Sequence, residues 1–333
     1  MQYFRSSIVV TAIGLLLAFY IGGLYALYIT ALLAILEVSL SFDNAVVNAK
    51  ILETMEPKWQ QRFITFGMPI AVFGMRFFFP LLVVALASNL GIFETLALAI
   101  DDPHAYHEVL ISVEKVIYAF GSSFLFMVFL DFIFDAERDE KWIKFFEENK
   151  VIQTLGSVNN FSIILMLVIG LILASVTSSL QVTMAYFFGV LLHSFIASLD
   201  DFFNMNGVRN GVMGLLYLEV LDASFSFDGV IGAFALSSNI FIIMLGLGIG
   251  AMFVRSMTIY FVEKKTLAEY TYLEHGANYA ILALSVIMMV KIFYPVNELI
   301  IGTIGITFIA VAVIHSILEK RAEAKLQPIS VEK

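Results

Sequence analysis

Two copies of one acidic pattern sit inside apolar runs long enough to cross a membrane. The first reads Glu37-Val-Ser-Leu-Ser-Phe-Asp43-Asn44-Ala-Val and the second Asp222-Ala-Ser-Phe-Ser-Phe-Asp228-Gly229-Val-Ile. At an offset of 185 residues Glu37 matches Asp222, Ser39 matches Ser224, Ser41 matches Ser226 and Asp43 matches Asp228. A carboxylate at the middle of a spanning helix costs about 3 kcal/mol on insertion scales. Four of them in two matched sets call for a compensating partner, and a bound cation is the simplest one. The oxygen atoms on offer are carboxylate, amide and hydroxyl, a hard set that suits Mn2+, Ca2+ or Mg2+. Neither motif holds a Cys or His, which argues against Cu(I) and makes Zn2+ a poorer fit.

Read as a helix, Glu37, Ser41, Asn44 and Asn48 recur at i, i+4, i+7 and i+11 and form one stripe. Ser39 and Asp43 form a second stripe about 120° away at 100° per residue. In the second motif Glu219, Asp222 and Ser226 share one stripe, and Ser224 and Asp228 the other. A straight helix cannot aim all these acids at one ion. Either the helix is interrupted around Ser39–Asp43 and Ser224–Asp228, or each stripe serves its own site. Asn44 and Gly229 follow the acid and would permit such a break, freeing backbone carbonyls as further ligands.

Buried cations need partners as well. Arg76 follows the first motif by one span and Arg255 follows the second by one span; Lys291 lies in the next. Pairing with a motif acid when no metal is bound is the functional reading. An ion pair that only fixes helix packing, or snorkelling to the surface, is the bland one, the latter fitting Lys291 and Asp131 best. His193, alone on an apolar span, reads as a satisfied packing residue. Asp200-Asp201 stand just ahead of the second motif span, where they could attract cations or simply end a span.

The elements that must carry these residues are read from hydropathy. The chain has 333 residues, 60% of them hydrophobic, 14% charged and 32 of them Phe. Its mean hydropathy is +0.91. Soluble domains are nearer a quarter charged, so a multi-pass membrane protein is expected. Cysteine is absent, which excludes disulfides and thiolate metal sites. The net charge of -9 lies largely in loops and in the buried motifs and points to no cationic partner. Nothing in the sequence suggests nucleic-acid binding. Arg5 precedes an apolar stretch too long for a signal h-region, so the N-terminus reads as a retained first span.

Ten segments of spanning length follow: about 7–27, 28–49, 63–88, 112–134, 159–179, 182–200, 212–236, 239–262, 273–294 and 297–317. The first pair is nearly fused, with Gly22-Gly23 and Tyr25–Tyr28 the only hint of a bend. Nearly all Lys and Arg outside the spans fall on one side of this topology, so both termini are expected in the cytoplasm, at a plasma (inner) membrane. The stretch 136–150 mixes charge with aromatic residues and reads as an amphipathic helix at the membrane surface, or as a solvated connector. The polar tail 319–333 reads as disordered.

The repeat extends past the motifs. In the next span Glu114 matches Glu274 at an offset of 160, and Asp131 then falls at the position of Lys291. The expected fold is therefore all-α, a polytopic transmembrane bundle of about ten spans. It divides into a leading span (1–27), a first repeat unit (28–134), a connector (135–158), linking spans (159–211), a second repeat unit (212–294) and a final span (295–318). The two three-span units start on spans two and seven, an odd offset of five, so they run oppositely through the bilayer. Inverted repeats place a substrate site near the midplane, between the two halves.

Together with Ser238-Asn239-Ile-Phe, Arg255 and Lys291, the two motifs resemble the TerC family of integral membrane proteins, grouped with the LysE-type transporter superfamily. The similarity covers roughly residues 28–134 and 212–294. It implies that Glu37, Asp43, Asn44, Asp222 and Asp228 are metal-site residues. It also implies manganese efflux, or a role in membrane-protein insertion or metalation, since members are implicated in both. The chain departs from the family pattern where Asp228-Gly229-Val-Ile replaces Asp-Ser-Ile-Pro, in its extra apolar segments and in the setting of Arg255, as a divergent branch would.

The leading expectation is a divalent-cation transporter exporting Mn2+, with Ca2+ or Mg2+ as alternatives, by rocking one unit against the other. Ser39, Ser41, Glu219, Ser224, Ser226, Arg76, Arg255 and Lys291 would support the site, and Asp200 and Asp201 would serve access. A homo-oligomer is compatible with this reading. The rival is a membrane scaffold or insertion factor with a structural acidic core. An intramembrane enzyme ranks last, because H-E-x-x-H and G-x-S-x-G signatures and a P-loop are absent.

Overall fold

The computed structural model describes residues 3–326 except 68–69, 71–73, 75, 77, 79–80, 83, 86–89, 136–137, 139, 159, 204–211, 238, 265–269 and 297. At 43, 64, 67, 151, 199–203, 212–213, 224–228, 231–232, 234–235, 298–299, 301–302 and 323–326 it describes the backbone alone. All regular structure among the described residues is helical: α1 (Arg5–Leu40), α2 (Phe42–Glu53), α3 (Pro57–Arg62), a π-helical turn (Phe63–Gly67), α4 (Ile92–Asp101), α5 (Pro103–Phe134), α6 (Lys144–Glu147), α7 (Lys150–Gly156), α8 (Phe161–Thr177), α9 (Leu180–Phe203), α10 (Val212–Leu236), α11 (Ile240–Lys264), α12 (Leu273–Lys291) and α13 (Glu298–Leu326). Six of these are long and apolar enough to cross a membrane among the described residues: α1, α5, α9, α11, α12 and α13. Their outward faces carry Leu16, Leu191 and Ile314, which suits contact with lipid. The chain is a multi-pass membrane protein.

α1 is one helix in name only. Gly22 (φ -146°, ψ 22°) and Gly23 (φ 65°, ψ -152°) leave helical geometry, and the Gly23 conformation is one that side-chain-bearing residues rarely adopt. The chain turns back there. Ser7 donates to Met252 O at 2.7 Å and Gly14 meets Ile249, whereas Leu33 meets Gly246 and Glu37 meets Gly250. Residues 5–21 thus run antiparallel to α11, and residues 24–40 run parallel to it. The reversal lies at Gly22-Gly23, about five residues before the boundary expected from hydropathy. A continuous apolar run carries no signal for where a hairpin bends.

Close approach is built on small residues. A Cβ on Gly246 would lie 2.5 Å from Leu33 Cβ, and one on Gly250 2.5 Å from Glu37 Cβ. This Gly-xxx-Gly face lets α11 lie directly on residues 30–37. α5 and α12 pack antiparallel: His275 rests edge-on against Phe132 at one end, and the Lys291 ammonium sits 4.8 Å over the Tyr118 ring at the other. Lys291 is buried and does not snorkel out of the bundle, because this ring and its α5 neighbours enclose it.

One end of the bundle gathers the basic segments. Tyr3 meets Tyr260, Phe42 meets Phe261, Lys50 pairs with Glu274 at 2.8 Å, and Tyr272 donates to Glu319 at 2.8 Å. The connector lies at this same end, and it is not the continuous amphipathic helix the sequence suggests. Among its described residues only Lys144–Glu147 and Lys150–Gly156 are helical. The buried Glu147 carboxylate explains this: it accepts from Arg138 at 3.0 Å, Tyr279 at 3.0 Å and the Ile143 and Trp142 amides, at 3.2 and 3.3 Å. Satisfying that carboxylate bends 138–147 inward around it. Burial works against its ionisation, yet contact with His275, the Ile143 amide and the Arg138 charge hold its carboxyl at about 2.

Candidate functional site

The helix break expected in the first motif is present, and it is one residue wide. α1 ends at Leu40, Ser41 sits at φ -108° and ψ 15°, and α2 starts at Phe42. The expected break in the second motif is absent, since α10 runs unbroken through Ser224–Asp228. Gly229 serves close approach there instead. A Cβ at that position would lie 3.0 Å from Glu37 Oε2.

The stripe read from the sequence is the buried face: Glu37, Ser41, Asn44 and Asn48 are each 2% exposed or less. Across from it stands Asp222 on α10, also buried. Between them lies Arg76, carried on the chain that follows the π-helical turn. Its Nε and Nη2 both donate to Glu37 Oε1, at 3.1 and 2.7 Å. Its Nη1 donates to Asp222 Oδ2 at 2.8 Å. Ser41 Oγ donates to Glu37 Oε1 at 3.0 Å, and Asn44 Nδ2 donates to Asp222 Oδ1. Two acids from the two matched motifs therefore meet in the core, bridged by one planar guanidinium whose fork fits paired carboxylates.

These contacts are related by the sequence repeat. The offset that carries Glu37 to Asp222 also carries Asn44 to Gly229. The Asn44–Asp222 and Glu37–Gly229 approaches are thus one contact seen from either half. Their order along the chain is antiparallel.

Negative charge exceeds positive in this cluster. Glu219 lies one turn from Asp222, close enough to interact electrostatically with both Asp222 and Arg76. Neither of its buried carboxylate oxygens has a hydrogen-bond partner among the described residues. Two carboxylates thus contact one guanidinium, with a third carboxyl group nearby. Among the described residues no three acidic or histidine side chains lie close enough together to hold a metal ion. The side chains of Asp43, Asp228, Ser224 and Ser226 lie outside the described residues, as do those of Asp200 and Asp201. The α9 backbone stays helical through Asp200-Asp201 to Phe203, beyond the apolar spanning stretch Leu180–Ser198. Ser39 is half-buried one turn before the break, and Arg255 is half-buried on α11, five residues past Gly250 toward the basic end.

A cavity of about 730 Å³ opens at the basic end. Val46 and Val47 of α2 and Tyr217 of α10 line its inner side, while Lys50, Asp131, Asp135 and Glu274 line the rest. Asn44 to Lys50 is six helical residues, so the mouth stands about 9 Å from the acid pair along the axis. Neither this cavity nor one contact at its wall has a signature in the residue pattern: His193 Nε2 lies 3.2 Å from Asp131 Oδ2. His193 is no lone packing residue, and its solitary position on an apolar span left it without a periodic signal.

The family described as "Protein of unknown function (DUF475)" matches residues 42–323, and the chain belongs to that family. No curated protein matches the chain. No solved structure matches it either.

Proposed function

We propose that the protein is a divalent metal-cation transporter, with Mn2+ its first-choice substrate. The observation that carries this reading is the meeting of Glu37 and Asp222, one from each matched motif, on a single buried Arg76 above a cavity of about 730 Å³. Acids at that depth are costly unless compensated. Glu219 adds a carboxylate that Arg76 alone does not balance. A cation carrying two positive charges would offset part of this excess, drawing on Glu37, Asp222, Asn44 and, from the same motifs, Asp43 and Asp228. Ser41 is already turned toward Glu37. In the ion's absence Arg76 holds the pair.

The path of the chain supports a count of ten crossings. Splitting α1 at Gly22-Gly23 gives two, and the apolar segment 63–88 read from the sequence adds one. α5, α8, α9, α10, α11, α12 and α13 supply seven. Residues 24–40 and α10 then run in opposite directions, as two inverted three-span units require. With the basic end cytoplasmic, the cavity faces the cytoplasm, and rocking the units would expose the acid pair to the other side. The likeness of both motifs to the TerC family favours the same substrate class.

The test is transport by the purified protein in liposomes holding a trapped Mn2+-sensitive dye. Wild type should move Mn2+, and Glu37→Gln and Asp222→Asn should each cut the initial rate by at least about tenfold, the loss expected when one buried charged ligand worth about 1.4 kcal/mol or more is removed. A wild type that moves none of Mn2+, Ca2+ and Mg2+ would end the reading. A scaffold or insertion factor is the second reading, and one observation favours it. The fork of Arg76 already pairs both acids, so the cluster could serve packing alone.

A further inference from the structure

The unabsorbed observation is a second buried ionisable pair, remote in sequence from both motifs. His193 on α9 is 1% exposed, and its Nε2 stands 3.2 Å from Oδ2 of Asp131 on α5. The imidazole is held edge-on between Phe124 and Tyr217, at ring-centroid distances of 5.4 and 6.1 Å. One turn earlier Gly189 lets α9 touch the α5 backbone, since a Cβ there would lie 2.5 Å from Phe120 O. This fixes the ring against the acid. Asp131 is the wet member: its side chain is 45% exposed and lines the 730 Å³ cavity. Neither His193 Nδ1 nor Nε2 has a hydrogen-bond partner among the described residues, so the Nε2–Asp131 approach is a close contact and not a formed hydrogen bond.

We infer that the His193–Asp131 pair is the proton-carrying site of the transport cycle, separate from the carboxylates that meet Arg76. The inference rests on the transport reading. With a neutral imidazole the pair carries one negative charge at the cavity wall, and this charge favours a cation in the cavity. A proton taken from the cavity onto the imidazole makes the pair neutral and removes that attraction. Proton and metal ion therefore oppose each other, and by linkage each weakens the other's binding by the same factor. Imidazole is the side chain that changes charge between pH 5 and 8. The groups that could blur the effect are few. α8 packs on α9 and has no titratable residue. α10 presents Tyr217, with Glu219 and Asp222 further along, and α5 presents Asp131 and Asp135. Lys50 and Glu274 across the cavity pair with each other at 2.8 Å. Tyr217 touches His193 and precedes Glu219 by two residues, which places the pair's charge beside the helix that carries Asp222.

The experiment measures Mn2+ flux and proton counterflow together, in liposomes holding a Mn2+ dye and, separately, a pH dye, between pH 6 and 8. Wild type should move protons opposite to Mn2+, and its apparent affinity should fall by up to about tenfold per unit of pH, the limit for one competing proton. His193→Gln and Asp131→Asn should each keep Mn2+ movement while losing the counterflow and flattening the pH profile. If wild type moves no divalent ion, the transport reading falls and this inference with it. If wild type transports but His193→Gln retains full counterflow and the same pH slope, this inference alone is overturned. Should both variants fail to fold, proton release on adding Mn2+ to wild type in weak buffer decides: release between pH 6 and 8 supports the pair, and none overturns it.

Discussion

Replacing Arg76 with Ala removes the bridge between Glu37 and Asp222. Three N–H donors go with it, two aimed at Glu37 Oε1 and one at Asp222 Oδ2. Both acids are almost wholly buried, so water cannot replace those bonds without entering the core. Deleting one partner of a buried pair costs about 3–5 kcal/mol, because the remaining charge stays behind. Here two charges stay behind, with Glu219 nearby, so the upper half of that range is expected. Arg76→Lys should recover only part, since an ammonium cannot fork between two carboxylates. The transport reading adds a second expectation. A divalent ion should stabilise the Arg76→Ala variant more than wild type, since no guanidinium competes for the acids. At a hundred times its Kd the ion restores about 2.7 kcal/mol, half or more of the loss. Thermal unfolding in detergent, with and without Mn2+, reads both quantities. An Arg76→Ala variant that unfolds at the wild-type temperature would show that the bridge is not formed. A destabilised variant that Mn2+ fails to rescue would leave the acids as packing elements and would favour the scaffold reading.

Other substitutions probe the same framework. Gly250→Ala should cost about 1–3 kcal/mol by overpacking, because its Cβ meets Glu37 Cβ and, at 2.8 Å, the Ala34 carbonyl, neither of which is a flexible chain end. Gly248→Ala has open space and should be neutral or stabilising by up to about 1 kcal/mol in the same unfolding assay. Glu147 titrates lower folded than unfolded, so it stabilises above its ordinary value near 4.5 and loses that contribution as pH falls toward about 2. Wild type should lose roughly 2 kcal/mol across that window, less than the full shift because half-buried Arg138 leaves part of the cluster screened by water; Glu147→Gln should be flat there. Lys50→Ala should change stability by less than about 0.5 kcal/mol, as its pair with Glu274 is solvated. It should nevertheless tighten Mn2+ binding in the flux assay, since it leaves Glu274 and Asp131 unopposed at the cavity mouth.

The parts of this molecule that were legible in its sequence are those with a period. The stripe Glu37, Ser41, Asn44 and Asn48 is set by helical spacing, and all four residues are buried. The offset of 185 residues likewise anticipated that Glu37 and Asp222 would approach each other. Single residues were not legible in this way. Nothing in its spacing showed that Arg76 would fork between the two halves, or that His193 would find Asp131 on another helix. Glycine was misread for a related reason. Gly229 looked like a helix breaker, yet α10 continues through it and the missing side chain makes room for Glu37. Local propensity tells what a glycine permits, and only packing decides which permission is used. That substitution also sets the asymmetry of the core. Where the first half offers the Asn44 amide to Asp222, the second half offers Glu37 a bare backbone. On its α10 side the acid of the first half is therefore the less tightly held of the two, its hydrogen bonds coming from Ser41 and Arg76 instead.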